Sequence, residues 1–158
     1  MNRQGAVGAL LDVYEQAILD FKKVIEDIPD TILTRIVDPE TTDKNCKSIQ
    51  SILSHMVNSG YGYAIYIHNL KGHNMERPDK VFHISIKEYL EDFNKLIVYT
   101  ENVFKDIEDS ELEQLYESKK IVTSWKQLYD IEQLMEHAIV HILRHQRQIE
   151  KLKRNLLQ

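Results

Sequence analysis

The sequence predicts an all-α protein, a four-helix bundle, and two observations carry that prediction. Apolar residues recur at three- and four-residue steps in four stretches parted by polar segments, while only five glycines and three prolines punctuate 158 residues, so the spacing is mostly helical. No segment shows a convincing alternation of apolar and polar residues, the mark of a half-buried strand. No repeat of roughly 20–50 residues recurs either, which argues against a solenoid. Four amphipathic helices bury their stripes against one another, and such bundles build their sites from side chains on facing helices.

The first helix follows from Leu10, Tyr14, Ala17, Phe21, Val24 and Ile28, a core-facing stripe that runs to Pro29. The polar connection DPETTDKNCK leads to Ser48, an N-cap for a second helix through Ile49, Ile52, Leu53, Met56, Tyr63, Ala64, Ile67 and Leu70, closed by Gly72. The segment GHNMERPDKVFH reads as a loop. Ser85 with Glu88 has the form of a capping box and opens a third helix through Leu90, Phe93, Ile97, Phe104 and Ile107. Residues 108–129 carry Trp125 and the short β-prone run IVTSW and are expected to be an ordered loop. Asp130 with Gln133 forms another capping pair, and Ile131, Leu134, Ala138, Ile142, Ile149, Leu152 and Leu156 define the longest helix, of about seven turns. The order of the helices around the bundle is not readable from these patterns.

Composition bounds the function. A chain of this length is expected to form one domain over residues 1–158 with a real core. The net charge of −5, from 20 basic and 25 acidic residues, is mild and scattered, which speaks against a nucleic-acid partner. No apolar run approaches the roughly 20 residues of a membrane span, and the start, MNRQGAVGALLDVYEQ, reads as helix rather than leader, so a cytoplasmic protein is expected. Cys46 is the only cysteine, which excludes an internal disulfide and a cysteine-based zinc site. A bound metal would therefore use His, Asp or Glu.

His141 and His145 stand four residues apart in MEHAIVHILRHQRQIEK, and a helix stacks such residues on one face. On a wheel of about 100° per residue both point toward the apolar centre marked by Ala138 and Ile149, while His137 falls at the flank, partly exposed. His137, His141 and His145 cannot all hold one ion, because the outer two lie about 12 Å apart along the axis. A third ligand must come from His55, His68, His73 or His83. His55 is mid-helix at the edge of its stripe, with Ser51, Asn58, Ser59 and Gly62 around it leaving room for a cavity. No H-E-x-x-H and no E-x-x-H occurs, which argues against a zinc-protease or a di-iron arrangement.

His55 in SHMVNSGYGYA, together with His141-Ile-Leu-Arg-His145-Gln-Arg-Gln148, resembles the DinB/YfiT-like family of metal-binding four-helix bundles. That family has one histidine in the second helix and a late H-x3-H in the fourth, typically continuing as HRGQ; here HQRQ stands instead, with arginines at Arg144 and Arg147. The resemblance spans nearly the whole chain and implies His55, His141 and His145 as metal ligands, with one divalent ion, zinc or nickel. It further implies a metalloenzyme acting on a small-molecule substrate: a thiol-dependent S-transferase using a low-molecular-weight thiol, or a hydrolase. Three neutral imidazoles leave a metal its full charge, which can bring the pKa of bound water near 7 or deprotonate a thiol. Protons compete for the same nitrogens, so metal affinity is expected to drop as pH falls through about 6.5.

Two other readings stand beside the enzyme: a metal-binding bundle without catalysis, and a purely structural, dimerising bundle. A homodimer is expected. Tyr63 is assigned to the core, Tyr66 and Trp125 are candidates for the wall and lid of a cavity, and Arg144 and Arg147 are expected to stay solvated or to hold a substrate carboxylate. The sequence names no catalytic residue.

Overall fold

The first helix, α1 (Gly5–Ile25), buries Leu11, Tyr14, Ala17, Ile18, Phe21 and Ile25 along one side. This computed structural model describes residues 3–156, so Met1, Asn2, Leu157 and Gln158 of the predicted 1–158 unit lie outside the described residues. α1 stops one turn before Pro29, because the residue preceding a proline is driven out of the helical region. Ile28 is nevertheless core: it is buried, with its N–H on the Ile25 carbonyl.

α2 (Ile49–Leu70) starts at Ser48 as predicted. The Ser48 hydroxyl accepts from the Ser51 N–H at 3.1 Å and the Ser51 hydroxyl from the Ser48 N–H at 2.9 Å, satisfying two helix-end donors reciprocally. Past its end, Gly72 takes φ +90°, a left-handed geometry that glycine adopts without a side-chain clash.

α3 (Ile86–Phe104) begins after Ser85, but the predicted box with Glu88 does not form. The cap comes from another part of the chain: Asp30, in the connection after α1, accepts from the Ile86 N–H at 2.8 Å. Glu88 turns to His83 instead, 3.4 Å from its Nδ1. Ile107 lies beyond the helix in a buried turn, its N–H on the Phe104 carbonyl.

Residues 108–129 are ordered, as expected, and part of the run IVTSW does form a strand. Two short 3-10 turns precede an antiparallel pair, β1 (Ile121–Val122) and β2 (Leu128–Tyr129), with Ile121 opposite Tyr129. α4 (Ile131–Leu156) then opens on the predicted pair: Gln133 N–H donates to Asp130 Oδ1 at 2.8 Å and Asp130 N–H to Gln133 Oε1 at 3.1 Å.

The protein is a four-helix bundle in which α1 and α2 occupy opposite corners, each flanked by α3 and α4. Asp30 meets Ile86 at one end and Val7 meets Asp109 at the other, so α1 and α3 are antiparallel. Tyr63 meets His137 and His55 meets His145, so α2 and α4 are antiparallel as well. Ser54 lies on Tyr89 and Gly60 against Leu96, so α2 and α3 run parallel. Two parallel helices in succession need a crossover, and residues 71–85 supply it by returning along α2. Three amide side chains of α2 pin that return: Asn69 to the Met75 carbonyl (2.9 Å), Asn58 to that of Pro78 (2.7 Å) and Gln50 to that of His83 (2.9 Å). Among the described residues no helix is long and apolar enough to cross a membrane.

Candidate metal centre

The antiparallel contact of α2 with α4 brings His55 to His141 and His145. His141 Nε2 lies 3.0 Å from His55 Nε2 and 3.1 Å from His145 Nε2, and one nitrogen from each of the three falls within 4.8 Å of the others. Nitrogens held at about 2.0–2.1 Å by a tetrahedral ion stand about 3.3 Å apart, so this spacing suits one ion. Among the described residues no fourth His, Cys, Asp or Glu joins the group.

The neighbours of the outer ring nitrogens decide what the inner ones present. Gln148 Oε1 lies 2.8 Å from His145 Nδ1, and the Ser59 hydroxyl 3.4 Å from His55 Nδ1. An amide oxygen accepts, so the His145 proton sits on Nδ1 and its Nε2 offers a lone pair inward. The Ser59 hydroxyl, able to donate or to accept, is compatible with either tautomer of His55. Ring nitrogens this close are held by a shared proton or by a cation, and three of them converging on one point is the arrangement of a metal site.

Burial reinforces this. It pushes the His55 imidazole down to about 4, helped by the neighbouring His145 and Lys80, and His141 down to about 3, helped by His145 and His55. His145 is only 4% exposed and is lowered by burial too, against the Gln148 hydrogen bond, which raises it. All three rings are neutral at pH 7, the form in which an imidazole can hold a metal, and protons compete for them at a lower pH than the 6.5 expected from an unperturbed imidazole.

The other histidines are elsewhere. His68 and His73 lie against each other, tilted, with ring centres 3.9 Å apart, and His83 pairs with Asp92 at 2.6 Å. His137 sits at the flank, its ring stacked on Trp125 at 5.1 Å; burial lowers its pKa.

A cavity of about 290 Å³ opens onto His55 and His141, and Tyr63, Tyr66, Trp125, His137 and Arg77 line it. Tyr66 and Trp125 thus stand where the sequence proposed them, with Tyr66 accepting the Ser124 N–H at 2.7 Å to tie the β1–β2 turn to α2. Arg144 and Arg147 are exposed and outside that lining. The cavity's arginine is Arg77, which the sequence reading passed over as part of a loop. It lies so close to Gly62 that a Cβ there would come within 2.9 Å of its Nη1. Cys46 is near Gln148 and Asp43 on another side of the cluster; burial pushes its thiol up, which keeps it protonated and a poor ligand.

A family model matches residues 1–156, and it is that of the DinB family. The chain belongs to the DinB family. The match takes in all four helices and the three clustered histidines, so the DinB-family bundle and the cluster coincide in one unit. No curated protein and no solved structure matches the chain.

Proposed function

We propose that this DinB-family protein is a metal-dependent S-transferase in which His55, His141 and His145 hold one divalent ion, zinc or nickel, beside a pocket for a low-molecular-weight thiol that carries a carboxylate. The observation behind this reading is the cavity that reaches His55 and His141 while presenting a single arginine, Arg77, against an aromatic wall. Bound there, a divalent ion supplies the charge that makes a thiol acidic at neutral pH.

The chain's own residues do the rest. Arg77 pairs with the carboxylate, for which a guanidinium offers a bidentate fork. Tyr63, Tyr66 and Trp125 exclude water from the sulfur, and neutral His137 on the same wall accepts the thiol proton. The sulfur's electron pair then forms a bond to an electrophilic carbon of the second substrate, whose leaving group departs with its own bonding pair.

Cobalt-substituted protein tests the reading. Carboxylate-bearing thiols should produce a sulfur-to-metal charge-transfer band, and Arg77→Met should raise the thiol Kd by about tenfold, the loss of one charge-assisted contact, at unchanged metal content. Absence of the band with every such thiol would overturn the transferase, and an exchangeable water at the cobalt would then point to hydrolysis.

A further inference from the structure

The outward face of α4 has a pattern that neither the core nor the metal cluster requires. Glu132, Glu136, Val140, Leu143, Arg147 and Lys151 follow one another at steps of four, four, three, four and four, and at about 100° per residue they fall on one stripe opposite Ala138. Val140 is 61% exposed and Leu143 40%. Glu136, Arg147 and Lys151 are exposed as well, and Glu132 is half-buried. The stripe reads acid, acid, apolar, apolar, base, base.

Within one helix this arrangement is unfavourable. Glu132 with Glu136 and Arg147 with Lys151 are like-charged pairs at i, i+4, the spacing at which side chains meet and repel. Among the described residues none of the four takes part in an ion pair. The Glu132 carboxyl is held above its ordinary value by desolvation and by Glu113, Glu136 and Asp130. The helix dipole favours acids at the start of α4 and bases at its end, and it leaves the like-charged neighbours within each group unpaired.

We propose that α4 pairs with α4 of a second copy of this chain, antiparallel, about a twofold axis passing between His141 and Ile142. All three pairings of the stripe are symmetric about that point. Val140 then packs on the partner's Leu143, Glu136 faces the partner's Arg147, and Glu132 faces the partner's Lys151, each contact occurring twice as a twofold interface demands. Every acid meets a base over about 28 Å of helix, from Glu132 to Lys151. The apolar centre continues sideways into a depression between α4 and α1, formed by Ala6, Ala9, Val13 and Ile139, where Val13 is 55% exposed. Small residues there leave space for side chains of the second copy.

Sedimentation of the full-length protein with single and paired charge reversals tests this. The wild type should be a dimer that weakens as salt is raised. Glu136→Arg alone and Arg147→Glu alone should each raise the dimer Kd at least about tenfold, since each turns two attractive contacts repulsive. The double variant should restore the dimer, because the reversed charges again face each other. Glu136 and Arg147 are both exposed, so circular dichroism and metal content should stay those of the wild type. A wild type that is monomeric throughout the micromolar range, a dimer indifferent to the single reversals, or a double variant no tighter than the singles would each overturn the proposal.

Discussion

At the scale of single residues, the site is set by what lies behind each imidazole as much as by the imidazoles. His145 presents its lone pair inward because the Gln148 amide oxygen stands at its outer nitrogen, whereas His137 stacks on Trp125, apart from the cluster. His141→Ala and His145→Ala should therefore abolish stoichiometric metal binding, and Gln148→Ala should lower the affinity by about 10–100-fold, as loss of an orienting partner does. His137→Ala should keep its metal. Metal analysis of protein carrying no histidine tag checks all four; a His137 variant that loses the ion would move the site one turn along α4.

At the scale of elements, the clearest lesson comes from α3. Its N-terminal N–H is capped by Asp30, 56 residues earlier in the chain, and Asp30→Ala should cost about 1 kcal/mol, the usual loss for removing a helix cap. Ser85→Ala should cost far less, as its side chain makes no capping bond, and thermal melts of the two variants separate the cases. The local pattern Ser85–Glu88 was sound as a pattern, and a tertiary contact displaced it. By contrast Ser48 and the pair Asp130–Gln133 have no such competitor, and these caps read from sequence are present, Ser51 joining Ser48 in a box that the sequence reading does not assign. The three ligand candidates were legible for a related reason: periodicity places His141 and His145 on the buried face, and the family pattern supplies His55. Arg77 was not legible. Its position depends on the crossover being pinned along α2 by Asn69, Asn58 and Gln50, contacts that no spacing within residues 71–85 announces, and the helix order was hidden with it.

At the scale of the whole molecule, the same three rings couple metal binding to folding. In the unfolded chain each titrates near 6.5, while in the metal-free fold His55 is held at about 4, His141 at about 3 and His145 is lowered as well. Above pH 6.5 both states leave these rings neutral, and their contribution to stability is complete. As pH falls below 6.5 the unfolded chain takes up protons that the fold refuses, so stability is lost progressively until His55 titrates at about 4 and His141 at about 3. Asp27, Asp43, Asp109 and Glu111 are held below their ordinary values, so their contribution is complete at neutral pH and is lost only as pH falls through the ordinary carboxylate range, at the acid end of the same decline. The melting temperature of metal-free protein should therefore decline from pH 7 to about pH 4, and saturating zinc should raise it at every pH where the rings are neutral, since an ion that binds only the fold stabilises it by mass action. Because burial lowers the pKa of all three rings, zinc affinity itself should begin to fall at a lower pH than an unperturbed imidazole would dictate. Calorimetric melts and zinc titrations over that range check both slopes. An affinity that instead follows the unperturbed imidazole through pH 6.5 would mean that the three rings are solvated in the metal-free state, and that the ion, rather than the packing of α2 on α4, assembles the site.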